Sequence, residues 1–335
     1  MKYLIYFGSG LGDFAIIYPF LRAIREYDEN AVIKLFQRNN RKRAESFHEL
    51  LKISNIDLSI GYYSARNIVH SIGFLKDLGH QEYDYAFALQ YTVNSHTSKW
   101  PFRIMRYASK VTLGFDNEYQ NTPYDIKVKF DKTKTRLVNF YQMLEKIGIP
   151  RASKPCLFTD EIVSLKNVYT LPANDRKNIV LAVGCTDWRR SWKYENWWEL
   201  AKKLANNNYR VILLGGKKEK DEWNVRDSAE NIENLIGKTS LKESLSIMSQ
   251  AELVIGADTG MTQLAGILDI KVIVLLGCTD YRQVLPNGNK SYYVSSTVTC
   301  SPCFSTSQER ICKRAICMEN ILVEEVFDKV QSVIL

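Results

Sequence analysis

The stretch Gly256-Ala257-Asp258-Thr259-Gly260-Met261-Thr262-Gln263-Leu264-Ala265-Gly266 decides how this chain is read. A largely apolar run, 251–255, leads into it, and 267–276 leads out through a second. The order is strand, tight turn, helix, strand. Gly256 and Gly260 permit a sharp backbone turn. Thr259 and the N–H groups after it then point out of a helix N-terminus, where a phosphate is well received. The alternative is an ordinary strand-to-helix turn capped by Asp258 or Thr259.

Outward from this stretch the rhythm repeats. Residues 178–183, 209–214, 253–255 and 271–276 read as strands, and 195–206, 219–229, 241–248 and 262–268 as helices. The first half has the same alternation: strands at 3–7, 31–36, 56–60, 85–89 and 111–115, helices at 11–27, 41–53, 67–78 and 95–107. A further amphipathic helix at 132–147 closes that half, and one at 319–330 finishes the chain. Alternation of this kind implies α/β architecture: parallel sheets with helices on both faces. Gly148-Ile149-Pro150 and Ser153-Lys154-Pro155 break the pattern. The expected organisation is therefore a domain at 1–155, a linker at 156–177 and a second domain at 178–335. Two doubly wound domains in tandem imply a cleft, with ligands at the carboxyl ends of the strands.

Composition bounds the function. At 335 residues with 45% hydrophobic and 24% charged content, the chain is that of a soluble two-domain protein. No run of eighteen apolar residues occurs, and Met1–Gly8 reads as a strand rather than a signal peptide, so a cytoplasmic location is expected. Seven cysteines, an odd number, argue against a disulfide framework. The net charge of +8 points to an anionic partner.

Three further loops follow strand ends. Gly8-Ser9-Gly10-Leu11-Gly12-Asp13-Phe14 lets the backbone, Gly12 included, pass close to a ligand. It is not a dinucleotide fingerprint, because no acidic residue ends the second strand. Asp13 either stabilises the helix dipole or takes a proton from a substrate hydroxyl. Val183-Gly184-Cys185-Thr186-Asp187-Trp188-Arg189-Arg190-Ser191-Trp192-Lys193 offers Thr186 and two guanidinium groups as a diphosphate cradle, or is a solvated basic loop. Five of the six tryptophans fall between Trp188 and Trp223. In Leu213-Leu214-Gly215-Gly216-Lys217-Lys218-Glu219, Glu219 is placed to accept hydrogen bonds from ribose hydroxyls.

Taken in order, these loops resemble one family. Gly12-Asp13 with Pro19 and Leu21–Arg25, the Gly184 loop ending in Arg-Ser-Trp, Leu-Leu-Gly-Gly-x-x-Glu, Ile236–Leu241, the Gly256 stretch, Leu276–Asp280 and Cys300-Ser301-Pro302-Cys303 together resemble the family 9 glycosyltransferases, the ADP-heptose:lipopolysaccharide heptosyltransferases. The resemblance implies the GT-B fold, two Rossmann-like domains facing across a cleft, with the acceptor on the first and the sugar nucleotide on the second. It implies Asp13 as catalytic base. Thr186 and Arg190 would stand at the diphosphate, Arg replacing the family's Lys. Glu219 would meet the ribose, and Asp258, Thr259 and Gly260 the donor sugar and phosphates. Gln263 stands where the family usually has His; it can donate to a phosphate oxygen but carries no charge. The reaction implied is a single displacement with inversion. No Asp-x-Asp sequence occurs, so a metal-bridged diphosphate has no evident ligands, and no catalytic metal is expected.

Cys300, Cys303, Cys312 and Cys317 fall within eighteen residues at spacings suited to a structural zinc or iron site, or are ordinary reduced loop cysteines. Similar clusters recur in the family. The basic segments Arg38–Arg43 and Lys99–Lys110, with Lys99 and Arg103 beside Trp100 and Phe102, are either solvated faces or an acceptor surface for a phosphorylated glycolipid or the inner membrane. Nucleic acid is not expected, since no recognised module accompanies the charge. The acceptor is left open between glycan, glycolipid and protein. Two other classes remain: a sugar-nucleotide epimerase, which needs no acceptor, and a non-catalytic sugar-nucleotide-binding protein.

Overall fold

A computed structural model of the chain describes residues 1–8, 10–38, 58–63, 68–90, 100–116, 123–157, 159–222, 228–288, 290–304 and 312–334. It divides into two units, Met1–Pro155 and Cys156–Leu335. The first is built on β1 (Lys2–Tyr6), β2 (Val32–Arg38), β3 (Leu58–Tyr63), β4 (Tyr83–Ala88), β5 (Ser109–Asp116) and β6 (Ile126–Lys129). They lie in the order β3-β2-β1-β4-β5-β6, each neighbouring pair parallel. The second holds β7 (Asn178–Ala182), β8 (Arg210–Leu214), β9 (Ile232–Asn234), β10 (Leu253–Ala257), β11 (Lys271–Leu276) and β12 (Ser291–Ser295), in the order β12-β11-β10-β7-β8-β9, again parallel. Counted within each unit, both orders are the doubly wound 3-2-1-4-5-6. The order reverses between β1 and β4 in one unit and between β7 and β10 in the other. Those two reversals are where such sheets hold ligands.

The central strands are covered on both faces, which explains their continuous apolar runs. Tyr3, Leu4 and Ile5 of β1 and Leu253, Val254 and Ile255 of β10 are wholly buried. Helix Leu11–Tyr27 matches its expected bounds and buries every residue from Phe14 to Ile24. Its buried Arg22 is paired with Glu26 at 2.6 Å. In the second unit Trp192 and Trp197 meet edge to face, centroids 4.9 Å apart, and the Trp192 indole N–H donates to the Ile321 carbonyl at 3.1 Å. That bond ties the loop after β7 to the segment before the last helix.

Several elements differ from expectation. The helix expected at 132–147 is Arg136–Glu145: Thr133 folds back on Asp131, and Thr135 caps the helix by accepting the Val138 N–H. The last helix is two, Ile316–Glu319 and Val323–Ile334, because Glu325 takes the Leu322 N–H and starts a new helix. Helix 219–229 is Lys217–Glu222 where described, and Ala229 pairs with Ile232. The segment 156–177 contains helix Thr159–Lys166, and it is tied to helix Leu241–Ser249: the Tyr169 N–H donates to the Ser246 hydroxyl at 3.0 Å, and Gln250, at that helix's C-terminus, donates to the Tyr169 carbonyl at 2.6 Å. The helix expected at 41–53 and residues 95–99 of another lie outside the described residues.

Candidate functional site

The reversal point of the second sheet is built around one arginine. At the end of β10, a Cβ on Gly256 would lie 2.5 Å from the Thr262 methyl and 3.0 Å from the Ala182 carbonyl oxygen, so only glycine lets β10, β7 and the next helix meet. That helix, Gly260–Ile267, is capped neither by Asp258 nor by Thr259. Thr262, one turn in, accepts the Thr259 N–H at 3.2 Å and donates to the Ala257 carbonyl at 2.8 Å. Asp258, 6% exposed, is left for Arg190. Arg190 Nη1 donates to the Asp258 carboxylate at 3.1 Å and to its carbonyl at 2.9 Å. Burial works against the guanidinium charge, but Asp258, Cys185 and Asp187 outweigh it and raise its pKa.

Much of the site is unengaged. Arg190 Nε is buried without a hydrogen bond, 3.7 Å from Asp187, and Nη2 has no hydrogen-bond partner among the described residues. The hydroxyls of Thr259 and Thr279, at the ends of β10 and β11, are likewise buried without a partner. Buried polar atoms are ordinarily satisfied, so this group of donors is suited to an anionic ligand at a helix N-terminus. By sequence, Thr279 is only part of the stretch Leu276–Asp280, with no role of its own.

The companion residues divide. Arg189 folds back on Asp187, Nε to Oδ1 at 3.0 Å and Nη2 to Oδ2 at 2.8 Å, so of the two guanidinium groups only Arg190 enters the site. Hydrogen bonding from Arg189 outweighs burial and holds the Asp187 carboxyl below its usual range. Thr186 is exposed on the same loop. Glu219, 6% exposed, accepts the Gly216 N–H at 2.9 Å and lies 3.4 Å from where a Cβ on Gly184 would stand, at the ends of β7 and β8. Gln263 is buried, and its amide donates to the Val284 carbonyl.

At the reversal of the first sheet, Asp13 accepts the Gly10 N–H at 2.9 Å, and its other oxygen lies 3.4 Å from Arg136 Nη1. A Cβ on Gly8 would fall 2.5 Å from the Asp13 carboxylate, which accounts for glycine there. The Asp13 side chain is 35% exposed, beside Gly12 in the first helical turn. Arg136 was not anticipated, since 123 residues separate the pair. Arg103 is exposed, its guanidinium 5.7 Å from the Trp100 ring centroid. Arg106 pairs with Asp125, and Lys110 with Asp84 at 2.8 Å. Lys99 and residues 39–43 lie outside the described residues.

The cysteines gather at the end of β11. Cys278, Cys303 and Cys317 are buried, Cys312 is half-buried and Cys300 exposed, and all are free. Burial, then the Cys317 and Cys303 thiols, pushes the Cys278 thiol up to about 12. Among the described residues, no three His, Cys, Asp or Glu side chains form a metal-holding group, so the thiols are close without converging. No helix among the described residues is long and apolar enough to cross a membrane.

With this geometry in place, known proteins give the chain a family. Lipopolysaccharide heptosyltransferase 2 of Salmonella typhimurium is 30% identical over 94 residues, and that match spans about a quarter of either protein, 26% of this chain and 27% of the relative. Lipooligosaccharide heptosyltransferase 2 of Campylobacter jejuni is 21% identical over 99% of both chains. The E. coli heptosyltransferase WaaC with ADP superposes at a TM-score of 0.74 with 18% identity, covering 99% of this chain and 100% of that one, and shares the fold. The profile of "Glycosyltransferase family 9 (heptosyltransferase)" matches residues 72–313, well over half of the sequence. The chain belongs to glycosyltransferase family 9.

Proposed function

We propose that this protein transfers a heptosyl group from a nucleoside diphosphate sugar, ADP-heptose being the expected donor, to a glycan, glycolipid or protein acceptor of the cell envelope. The observation that carries the reading is Arg190 held on Asp258 beside two unpartnered hydroxyls and a helix N-terminus. A diphosphate satisfies all of these at once. Thr186 and Gly260 flank it, and Glu219 receives the ribose. Gln263, engaged with Val284, supports the helix rather than the phosphate.

In the transfer, Asp13 accepts the proton of the acceptor hydroxyl as that oxygen attacks the anomeric carbon. The bond from that carbon to the diphosphate oxygen breaks, and its electron pair leaves on the nucleoside diphosphate. Arg190 and the Gly260 helix N-terminus stabilise the developing charge. Attack opposite the leaving group inverts the anomeric centre, and no metal is assigned a step. Gly12, Lys99 and Arg103 are assigned to the acceptor side, Arg103 and Trp100 offering a cationic, aromatic face to a phosphorylated acceptor at the inner membrane.

The thiols of Cys300, Cys303, Cys312 and Cys317 are a donor set able to close one tetrahedral zinc or iron site of structural kind. The packing of Cys303 and Cys317 at the end of β11 supports this. Metal analysis of purified protein is expected to find about one equivalent, and metal-free, fully stable protein removes the assignment. The donor reading is tested by calorimetry with a panel of sugar nucleotides. ADP-linked sugars should bind and turn over only with acceptor present; turnover of the donor alone would favour an epimerase.

A further inference from the structure

The cysteine-bearing segment reaches the donor site through a single aromatic ring. Both of its described ends close on the end of β11. Ser301 donates its hydroxyl to the Gly277 carbonyl, and the N–H groups of Cys303 and Phe304 both donate to the Cys278 carbonyl, at 2.9 and 2.8 Å. From the other end, Met318 and Cys317 pack where Gly277 has no side chain: a Cβ there would lie 2.5 Å from the Met318 sulfur and 3.0 Å from that of Cys317. So fixed, Phe304 sets its ring 5.8 Å from the Arg190 guanidinium carbon while remaining 42% exposed.

A large apolar side chain so exposed contributes little to the core, yet its own N–H and that of its neighbour Cys303 converge on one carbonyl. Arg190 in turn is fixed by Asp258 through Nη1 only. Its Nε makes no hydrogen bond and has only the Asp187 carboxylate at 3.7 Å on that side, so the rotation of the guanidinium plane is loosely held there. A ring lying against a guanidinium supplies that constraint without consuming an N–H, leaving the donors to a ligand.

We infer that Phe304 is a positioning residue of the donor site, holding the Arg190 guanidinium in the orientation that receives the nucleoside diphosphate. The inference rests on the donor reading above. Through Phe304, the described stretch 300–304 forms one wall of that site as well as a fastening of the chain.

The test is ADP affinity by calorimetry with thermal unfolding measured alongside. Binding of ADP to the unaltered protein tests the donor reading by itself. Given that binding, Phe304→Leu is expected to weaken it about two- to fivefold with the unfolding midpoint unchanged, and Phe304→Tyr to restore it. On an Arg190→Ala background, Phe304→Leu should cause no further loss. Unchanged affinity in Phe304→Leu overturns the inference. So does an undiminished loss on the Arg190→Ala background, which would mean that the ring meets the ligand directly.

Discussion

The reversal points of the two sheets use one local device with different chemistry. In each, a side chain one turn into the helix accepts the N–H of the residue that starts it. In the first unit that side chain is the Asp13 carboxylate, on Gly10; in the second it is the Thr262 hydroxyl, on Thr259. The difference decides what each helix can bind. Asp13 places a negative charge on the positive end of its own helix and fills the space above Gly8. A phosphate finds that turn already occupied by an anion. Thr262 satisfies the same amide without charge, so the Gly260 helix keeps its attraction for a ligand's phosphate, and Arg190 adds to it. One turn is arranged to hold a proton acceptor and the other to hold an anion.

The comparison is broken most severely at Asp13. Asp13→Asn preserves the hydrogen bond to Gly10 but removes the base, and turnover should fall about 10²–10⁴-fold while ADP affinity is unchanged. Near-normal turnover would reduce Asp13 to a cap. Next come the two arginines, each facing a carboxylate. Arg190→Ala should weaken ADP about 10- to 100-fold, the scale of lost charge-assisted hydrogen bonds. Arg136→Ala, at a one-third exposed pair, should leave ADP binding intact and lower turnover less than about fivefold. Equal effects of the two on ADP affinity would contradict the division of labour.

The smallest effect is on pH. The Asp187 carboxyl is held below its ordinary value by Arg189, so it binds its proton more weakly folded than unfolded. Its stabilising contribution is fully present above about pH 4 and is lost as pH falls through the lower folded value. Asp187→Asn should therefore flatten the acid limb of thermal stability while leaving the limb above pH 5 unchanged in slope. An identical acid limb in the variant would deny Asp187 that role.

The sequence revealed what repeats locally. Central strands such as β1, β7, β10 and β11 are covered on both faces and appear as apolar runs. The strands not anticipated, β6, β9 and β12, are the outermost or near-outermost partners. Two are only four and three residues long, and β12 is partly exposed, so little burial pattern marks them. Likewise Asp13, Glu219 and Thr259 were visible because each follows a strand and a glycine. The engagement of Asp258 with Arg190, of Arg189 with Asp187, and of Arg136 with Asp13 depends on which loops the sheet order brings side by side. Spacing along one chain carries no record of that. The cation expected to be doubled in the Gly184 loop is single for this reason.

The crowding of tryptophan into the second unit gives the protein a built-in optical reporter. Trp100 is the only indole before Trp188, and Trp192 and Trp197 are almost wholly shielded from water. Steady-state emission therefore reports mainly on the second unit, where Trp188 and Arg190 share one short turn, and only Trp100 reports on the first. A spectral shift on adding a nucleotide that persists in Trp100→Phe would place that nucleotide in the second unit without any label. A calorimetric transition of that variant lacking a fluorescence counterpart would belong to the first.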